Sequence, residues 1–493
     1  MAVHDRIRLT RELAPTRASP RGGALGLLLS WGSGGSATDG EVARGPPTSQ
    51  TVGSYLMSRI SDLAARTPPT RNRAIDFYRA AALIIVVVGH WLASAVYVEP
   101  DGALRFTNIL ELAAWTHWLT WFIQVIPVFF VVGGYANWLS YHSALRNQRS
   151  IGTWITARFR RLMTPVVPFL AVWSVISIGA GLLGVDQSLI RAGSFAVVTP
   201  LWFLAVYLVV ILAVPATVWL WSRLGLWSVV LGLVLAFGVD WARYTTGLDW
   251  IGWLNFGFVW LTAHQLGYRW ATERHRPATA LLVTAIPIAV GALFALTLAG
   301  PYPISMVGVP GATENNTLPP TAALAVLSLL QYAVIRLAEP ATSRWMHRER
   351  PWTFVVGFHT VMMTVYIWHL PTLAIIVLIG YGVGFGFSIE PLTTAWWLTR
   401  PIWLAVLTAA LLGVIALFGR FEPRVRATPP PPAPVIAFGV VASIVAISAG
   451  VVLGFVPEQG LIRWWVVILF ATGVVALGAY PSRRERDGKK GSP

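Results

Sequence analysis

Along the chain, apolar positions gather into long unbroken runs instead of alternating with polar ones. Runs of about 17–25 residues are the length of a membrane-spanning helix. They fall near residues 74–97, 117–139, 163–184, 200–221, 225–240, 251–270, 279–299, 320–338, 353–379, 397–418, 435–456 and 462–480. The pattern predicts an all-α polytopic transmembrane helix bundle of twelve spans. After the tenth run comes RFEPRVRATPPPPAP, basic and then polyproline, which should be stiff and extended. It divides the chain into a basic leader (1–72), a ten-span core (73–420), a Pro-rich linker (421–434), two additional C-terminal spans (435–481) and a basic tail (482–493). The last pair holds no ionisable residue except Arg463 at an edge, so packing or anchoring is its expected role.

Composition agrees with a membrane protein: 55% of residues are hydrophobic, 12% are charged and 25 are Trp. The net charge of +16 would suit a nucleic-acid partner, but its placement argues against one. Of 37 Lys and Arg, 31 fall on one alternating set of tails and loops and five on the other. The positive-inside rule then predicts both termini in the cytoplasm of a cell membrane and an even number of spans, with lipid as the partner of the basic loops. No cysteine is present, which excludes disulfides, thiolate metal sites and a cysteine nucleophile. No close cluster of His and carboxylates appears either, and no metal is expected.

The leader mixes Arg, Gly, Pro and Ser around LGLLLSW at 25–31, too short to span and too far in for a signal peptide, and reads as disordered. Met57 opens a compact basic leader of its own, MSRISDLAARTPPTRNR, which predicts a functional start there. Two outside loops are long, 300–319 and 380–396; such loops serve either as binding elements or as linkers. Gly380, Gly382, Gly384 and Gly386 make no dinucleotide fingerprint, since neither a strand nor a βαβ unit flanks them. Asn315, Asn316 and Glu390 in these loops are either acceptor contacts or plain surface polarity. Trp115, Trp118, Trp121, Trp396, Trp397 and Trp403 sit at span ends, as interfacial residues or as a stacking surface for sugar rings.

Arg79 and His90 stand on the first span. An ionisable group inside a bilayer costs at least a few kcal/mol unless it is paired or faces a wet cavity, so it signals function. Eleven residues return to within about 20° of the same azimuth and rise about 16 Å, placing both on one helix face. Arg79, near the span end, can snorkel or pair with Asp76 at i, i+3; His90 has no such escape. His264, His359 and His369 also lie in spans. His369 is 19 residues beyond Arg350 and His90 is 17 beyond Arg73, so if those arginines mark the interface the two share a depth, and His369 either lines the same cavity or is structural. His264 and His359 read as structural. The Arg158, Arg160 and Arg161 cluster either meets lipid headgroups or helps bind a nucleotide.

The run IDFYRAAALIIVVVGH resembles the opening motif of acyltransferase family 3, multi-pass membrane acyltransferases that include O-antigen and surface-glycan acetylases. There an Asp-x-x-Arg leads the first span, with ten residues between the Arg and a His; Asp76, Arg79 and His90 match it. VFFVVGGYANW (128–138), RFRRLMTPVVPF (158–169) and TPLWFLAVYLVVILAVP (199–215) follow in the family's order. Gly133 stands where that family usually has Ser, and Tyr207 where many O-antigen acetylases have Glu.

The resemblance implies transfer of an acyl group, most simply acetyl, from acyl-CoA (acetyl-CoA) to a hydroxyl of a glycan, lipid-linked sugar or similar acceptor. Such transfer needs a base, an oxyanion stabiliser and cations for the donor's phosphates. His90 would be the catalytic base. Arg79, oriented by Asp76, would bind donor phosphate with Arg158 and Arg161. His369, Trp202 and Tyr207 would line the cavity. The competing reading is a transporter or exporter of a glycan or lipid precursor, although no internal repeat pairs the two halves.

Overall fold

The computed structural model describes residues 58–99, 102, 104–384, 387–422 and 429–478. The 25–31 patch, the Met57 start, Gly386, most of the linker's basic part and the 482–493 tail lie outside them. The chain folds as helices α1 (Arg73–Ala93), α2 (Thr116–Ile123), α3 (Ile126–Arg146), α4 (Ile151–Met163), α5 (Val166–Leu182), α6 (Gln187–Val198), α7 (Leu201–Leu224), α8 (Trp227–Thr246), α9 (Asn255–Thr272), α10 (Thr279–Phe294), α11 (Ala322–Met346), α12 (Glu349–His359), α13 (Met362–Gly382), α14 (Thr394–Phe418), α15 (Ala433–Leu453) and α16 (Trp464–Leu477). One hairpin, β1 (Ser94–Val98) with β2 (Leu104–Asn108), and a few single turns complete the named elements.

Among the described residues, helix-forming segments occupy all twelve expected positions, and ten are long and apolar enough to cross a membrane. Two fall short, for different reasons. Helix α9 is 18 residues but carries Thr262 and Gln265 buried toward α8 and His264 buried toward α3, which lowers its hydropathy. Helix α16 is apolar throughout but only 14 residues long.

Three boundaries differ from the hydropathy reading. The first span ends at Ala93 instead of residue 97, because the β-branched stretch SAVYV pairs with Leu104–Asn108 as a hairpin. The ninth breaks at Thr360–Val361 into α12 and α13, so His359 ends its own short helix. The leader is ordered well before residue 73. A helix over 58–65 docks on α12, where Trp352 Nε1 donates to the Ala64 carbonyl at 3.3 Å and to Thr67 Oγ1 at 3.0 Å.

Two glycines set the tightest seam. A Cβ at Gly134 would stand 1.9 Å from the His264 carbonyl oxygen, and one at Gly267 would stand 2.1 Å from that of Val131. Helices α3 and α9 therefore meet backbone to backbone, as small residues permit in membrane bundles. The loop after α10 is held from within. Asp240 accepts from Ala322 N (2.7 Å), Tyr302 Oη (3.0 Å) and Asn255 Nδ2 (2.7 Å). Asn316, fully buried, donates to the carbonyls of Pro303 and Ser305, while Asn315 accepts from the backbone of Thr317 and Leu318. Both asparagines are thus spent on loop structure; Glu390 remains exposed.

The last two helices pack on each other through Gly439 and Gly473, and then against α7 and α4. Arg160 of α4 donates to the Leu477 carbonyl at the end of α16. The cluster's middle arginine thereby caps α16, where a cation suits the carbonyl end.

Candidate functional site

Helix α1 begins at Asn72, whose side chain accepts from the Ala74 and Ile75 amides, a favoured N-cap. Asp76 in its first turn is bound by Arg71, with Nε to Oδ2 at 2.6 Å and Nη2 to Oδ1 at 3.0 Å. The expected pairing of Asp76 with Arg79 is not made. The chain preceding the helix folds back and brings Arg71 onto the carboxylate first, and this pairing raises the Arg71 guanidinium pKa. Asp76 is 5% exposed and does not line the cavity that holds the other candidates. Its carbonyl oxygen lies 3.0 Å from His359 Nε2.

Beyond that turn α1 runs unbroken from Arg73 to Ala93, so the roughly 16 Å rise and shared face of Arg79 and His90 are realised. Both line one cavity of about 1330 Å³ including its open mouth. Its walls come from α1, α3, α4, α7 and α13. Most of them are apolar, with Leu83, Val86, Phe129, Phe203, Leu204 and Met363 among the lining residues. Its lining extends along α1 from Arg79 to His90.

The cavity's polar groups form two sets. One comprises Arg79, Arg158, Arg161, His359 and Glu422, whose charges act on one another. Arg158 donates to Ser140 Oγ and lies 5.5 Å over the Trp154 ring. Glu422 Oε1 accepts from Thr364 N at 2.6 Å and Thr364 Oγ1 at 3.0 Å. Three guanidinium groups facing one carboxylate leave net positive charge, the electrostatics of an anion site. Burial pushes the Glu422 carboxyl up from its ordinary value. Burial, and then the nearby Arg79 charge, hold His359 down to about 4, so its ring is neutral near pH 7.

The second set is a histidine pair. His90 Nδ1 lies 3.0 Å from His369 Nε2, with the rings 18° from parallel. His90 and His369 thus stand at the same depth and line the same cavity. Trp91 Nε1 donates to the His369 carbonyl at 3.0 Å, fixing α1 against α13 at this level. His369 is fully buried, whereas His90 keeps accessible surface because it opens onto the cavity.

Trp202 and Tyr207, both on α7, line the wall. Tyr207 stacks on Phe203 at 5.8 Å, and Asn137 Nδ2 lies 3.4 Å from its hydroxyl. The two positions that depart from the resembling motif meet here. A Cβ at Gly133 would lie 3.0 Å from Tyr207 Cε2 and 3.1 Å from its hydroxyl, so the phenol fills the room a side chain at 133 would need. His264 lies outside the cavity lining, buried, with Nε2 3.1 Å from Asn137 Nδ2. Among the described residues no group of three His, Asp or Glu is placed to hold a metal ion.

Residues 72–418 match the family model Acyl_transf_3, described as an acyltransferase domain. The chain belongs to this family. The match covers the ten-span core, and it favours an acyltransferase over the transporter reading. No curated protein and no solved structure matches the chain. In this acyltransferase the sequence reading missed two members of the arginine-rich set. His359, read as structural, lines the arginine-rich end, and Glu422 follows the tenth span. An acidic residue among the arginines of RFEPRVR was Glu422's one signal; only the turn after α14 brings it to α13.

Proposed function

We propose that this acyltransferase moves an acyl group, acetyl in the simplest case, from cytoplasmic acyl-CoA to a hydroxyl of a glycan or lipid-linked sugar. The observation that carries the reading is a single cavity with three arginines at one end and His90 about 16 Å along the same helix face. A donor whose phosphates rest on Arg79, Arg158 and Arg161 would extend its pantetheine arm between the apolar walls and present its thioester near His90. Arginine's planar fork suits phosphate, and the dry walls strengthen such contacts.

His90 then takes the acceptor hydroxyl proton as the acceptor oxygen forms its bond to the thioester carbonyl carbon. The carbon–sulfur bond breaks on collapse, and the departing thiolate recovers the proton from His90. With both termini cytoplasmic, as the basic loops predict, the arginine end opens toward the cytoplasmic donor. Asp76 acts at one remove, holding Arg71 and the first turn of the helix that carries Arg79.

The test uses full-length protein in lipid nanodiscs with acetyl-CoA labelled in the acetyl group, following thioester loss and label transfer to a membrane glycan fraction. Wild type should consume the thioester, and His90→Ala should lose turnover by on the order of 10²-fold or more while still binding coenzyme A. Equal turnover in the variant would overturn the assignment of His90.

A further inference from the structure

We infer that His369 is a positioning residue that sets the tautomer of His90 and leaves His90 Nε2 as the nitrogen free to accept a proton. The inference rests on the reading of His90 as the base, and it follows from counting donors and acceptors along one short chain of contacts.

His369 Nδ1 lies 2.7 Å from the Tyr366 carbonyl oxygen. A carbonyl oxygen can only accept, so the hydrogen of that contact is on His369 Nδ1. A second proton on the ring would create a charge on a fully buried side chain with which no carboxylate pairs among the described residues, an arrangement that is expensive within a bundle. His369 Nε2 therefore carries a lone pair. It stands 3.0 Å from His90 Nδ1, and one hydrogen must occupy that contact, so His90 Nδ1 supplies it. A neutral His90 has only one ring hydrogen. With that hydrogen committed to His369, Nε2 is bare, on a ring whose accessible surface opens onto the cavity.

The arrangement has the logic of a base oriented by a third group, with a neutral imidazole in the orienting role where a carboxylate is more familiar. When His90 accepts the acceptor proton at Nε2, its other hydrogen stays on Nδ1 and remains hydrogen-bonded to His369 Nε2, which stabilises the imidazolium charge through that bond. When the thiolate leaves, the Nε2 proton passes to sulfur and the starting tautomer returns. No proton is left over and His369 never exchanges one. The Trp91 bond to the His369 carbonyl holds the two helices at this level, so the pairing does not depend on the histidines alone.

The experiment is nitrogen-15 NMR of full-length protein in nanodiscs with labelled histidine, His90 being assigned by its loss in His90→Gln. In the wild type His90 should show a hydrogen-bearing Nδ1 and a bare Nε2. In His369→Ala it should shift toward the Nε2–H form that isolated imidazoles favour. With acetyl-CoA as substrate, His369→Ala should lower kcat by about 10–100-fold and leave KM nearly unchanged, the pattern of a lost orienting partner. His369→Gln, whose amide oxygen can accept from Nδ1, should recover part of both the tautomer and the rate. A wild-type His90 protonated at Nε2, or a His369→Ala enzyme with full kcat, would overturn the proposal. A wild type showing the expected tautomer without thioester turnover would uphold the positioning role and instead overturn the reading of the donor.

Discussion

Replacing Gly267 with alanine tests the seam on which one cavity wall depends. The new Cβ would lie 2.1 Å from Val131 O, 2.5 Å from Tyr135 N and 2.8 Å from Gly134 Cα. All three are backbone atoms and no rotamer can move them aside. Real Cβ contacts essentially never fall below 3.0 Å, so α3 and α9 must part by roughly 0.9 Å along the first of these lines. Overpacking of this sort costs about 1–3 kcal/mol. The same separation stretches the 3.1 Å contact between Asn137 and His264 beyond hydrogen-bonding range, adding about 1 kcal/mol. The expected destabilisation is therefore about 2–4 kcal/mol. Gly257 on the same helix has no atom within 4 Å of its built Cβ, so Gly257→Ala supplies a matched control and should be neutral or slightly stabilising. Denaturant titration in detergent, followed by tryptophan fluorescence and by monodispersity on size exclusion, would report both. A Gly267→Ala protein within about 0.5 kcal/mol of the control would refute the close-packed seam.

Two further outcomes follow from the cavity. Arg79→Ala should weaken coenzyme A binding about 10–100-fold by calorimetry, as expected for one charge-assisted contact of 1.5–3 kcal/mol, with Arg79→Lys in between; unchanged binding would remove Arg79 from the donor site. His359 has a folded pKa of about 4 against an ordinary 6.5, so on acidification the unfolded chain takes up the proton first. Stability should fall as pH drops from about 6.5 to 4 and level off below, and His359→Gln should flatten that slope in melting curves recorded across the range.

Most of the architecture was legible because a bilayer imposes a length on apolar runs, and run length survives in a bare sequence. Boundaries were less so. Hydropathy does not tell a helix from a β-branched strand, hence the misplaced end of the first span at Ser94–Val98, and it does not see a break between two apolar helices such as that at Thr360–Val361. Helix α9 read as a span because its polar side chains are few, although they are what bind it inside the bundle. Within the site, spacing along one helix was enough to join Arg79 to His90, whereas depth counting across two helices raised His369 only as a candidate for the same cavity, because it depends on where each arginine meets the interface. The partner of Asp76 was missed because the i, i+3 rule applies inside a helix and Arg71 lies before its start. Glu422 reaches the cavity through the turn after α14, and His359 reaches it as the last residue of α12 just before the break, and no local pattern encodes where such a turn or helix end will point.

The bond from Arg160 to the Leu477 carbonyl bears on how the protein is made. The two residues are 317 positions apart, so at about 5–20 residues per second the ribosome needs on the order of 15–60 s to synthesise the second after the first. Throughout that interval the helix with Arg158 and Arg161 must sit in the membrane without its final brace. Docking of α16 on α4 at Arg160 is thus a late event, and a chain cut short after the tenth span would carry every residue of the family match without it.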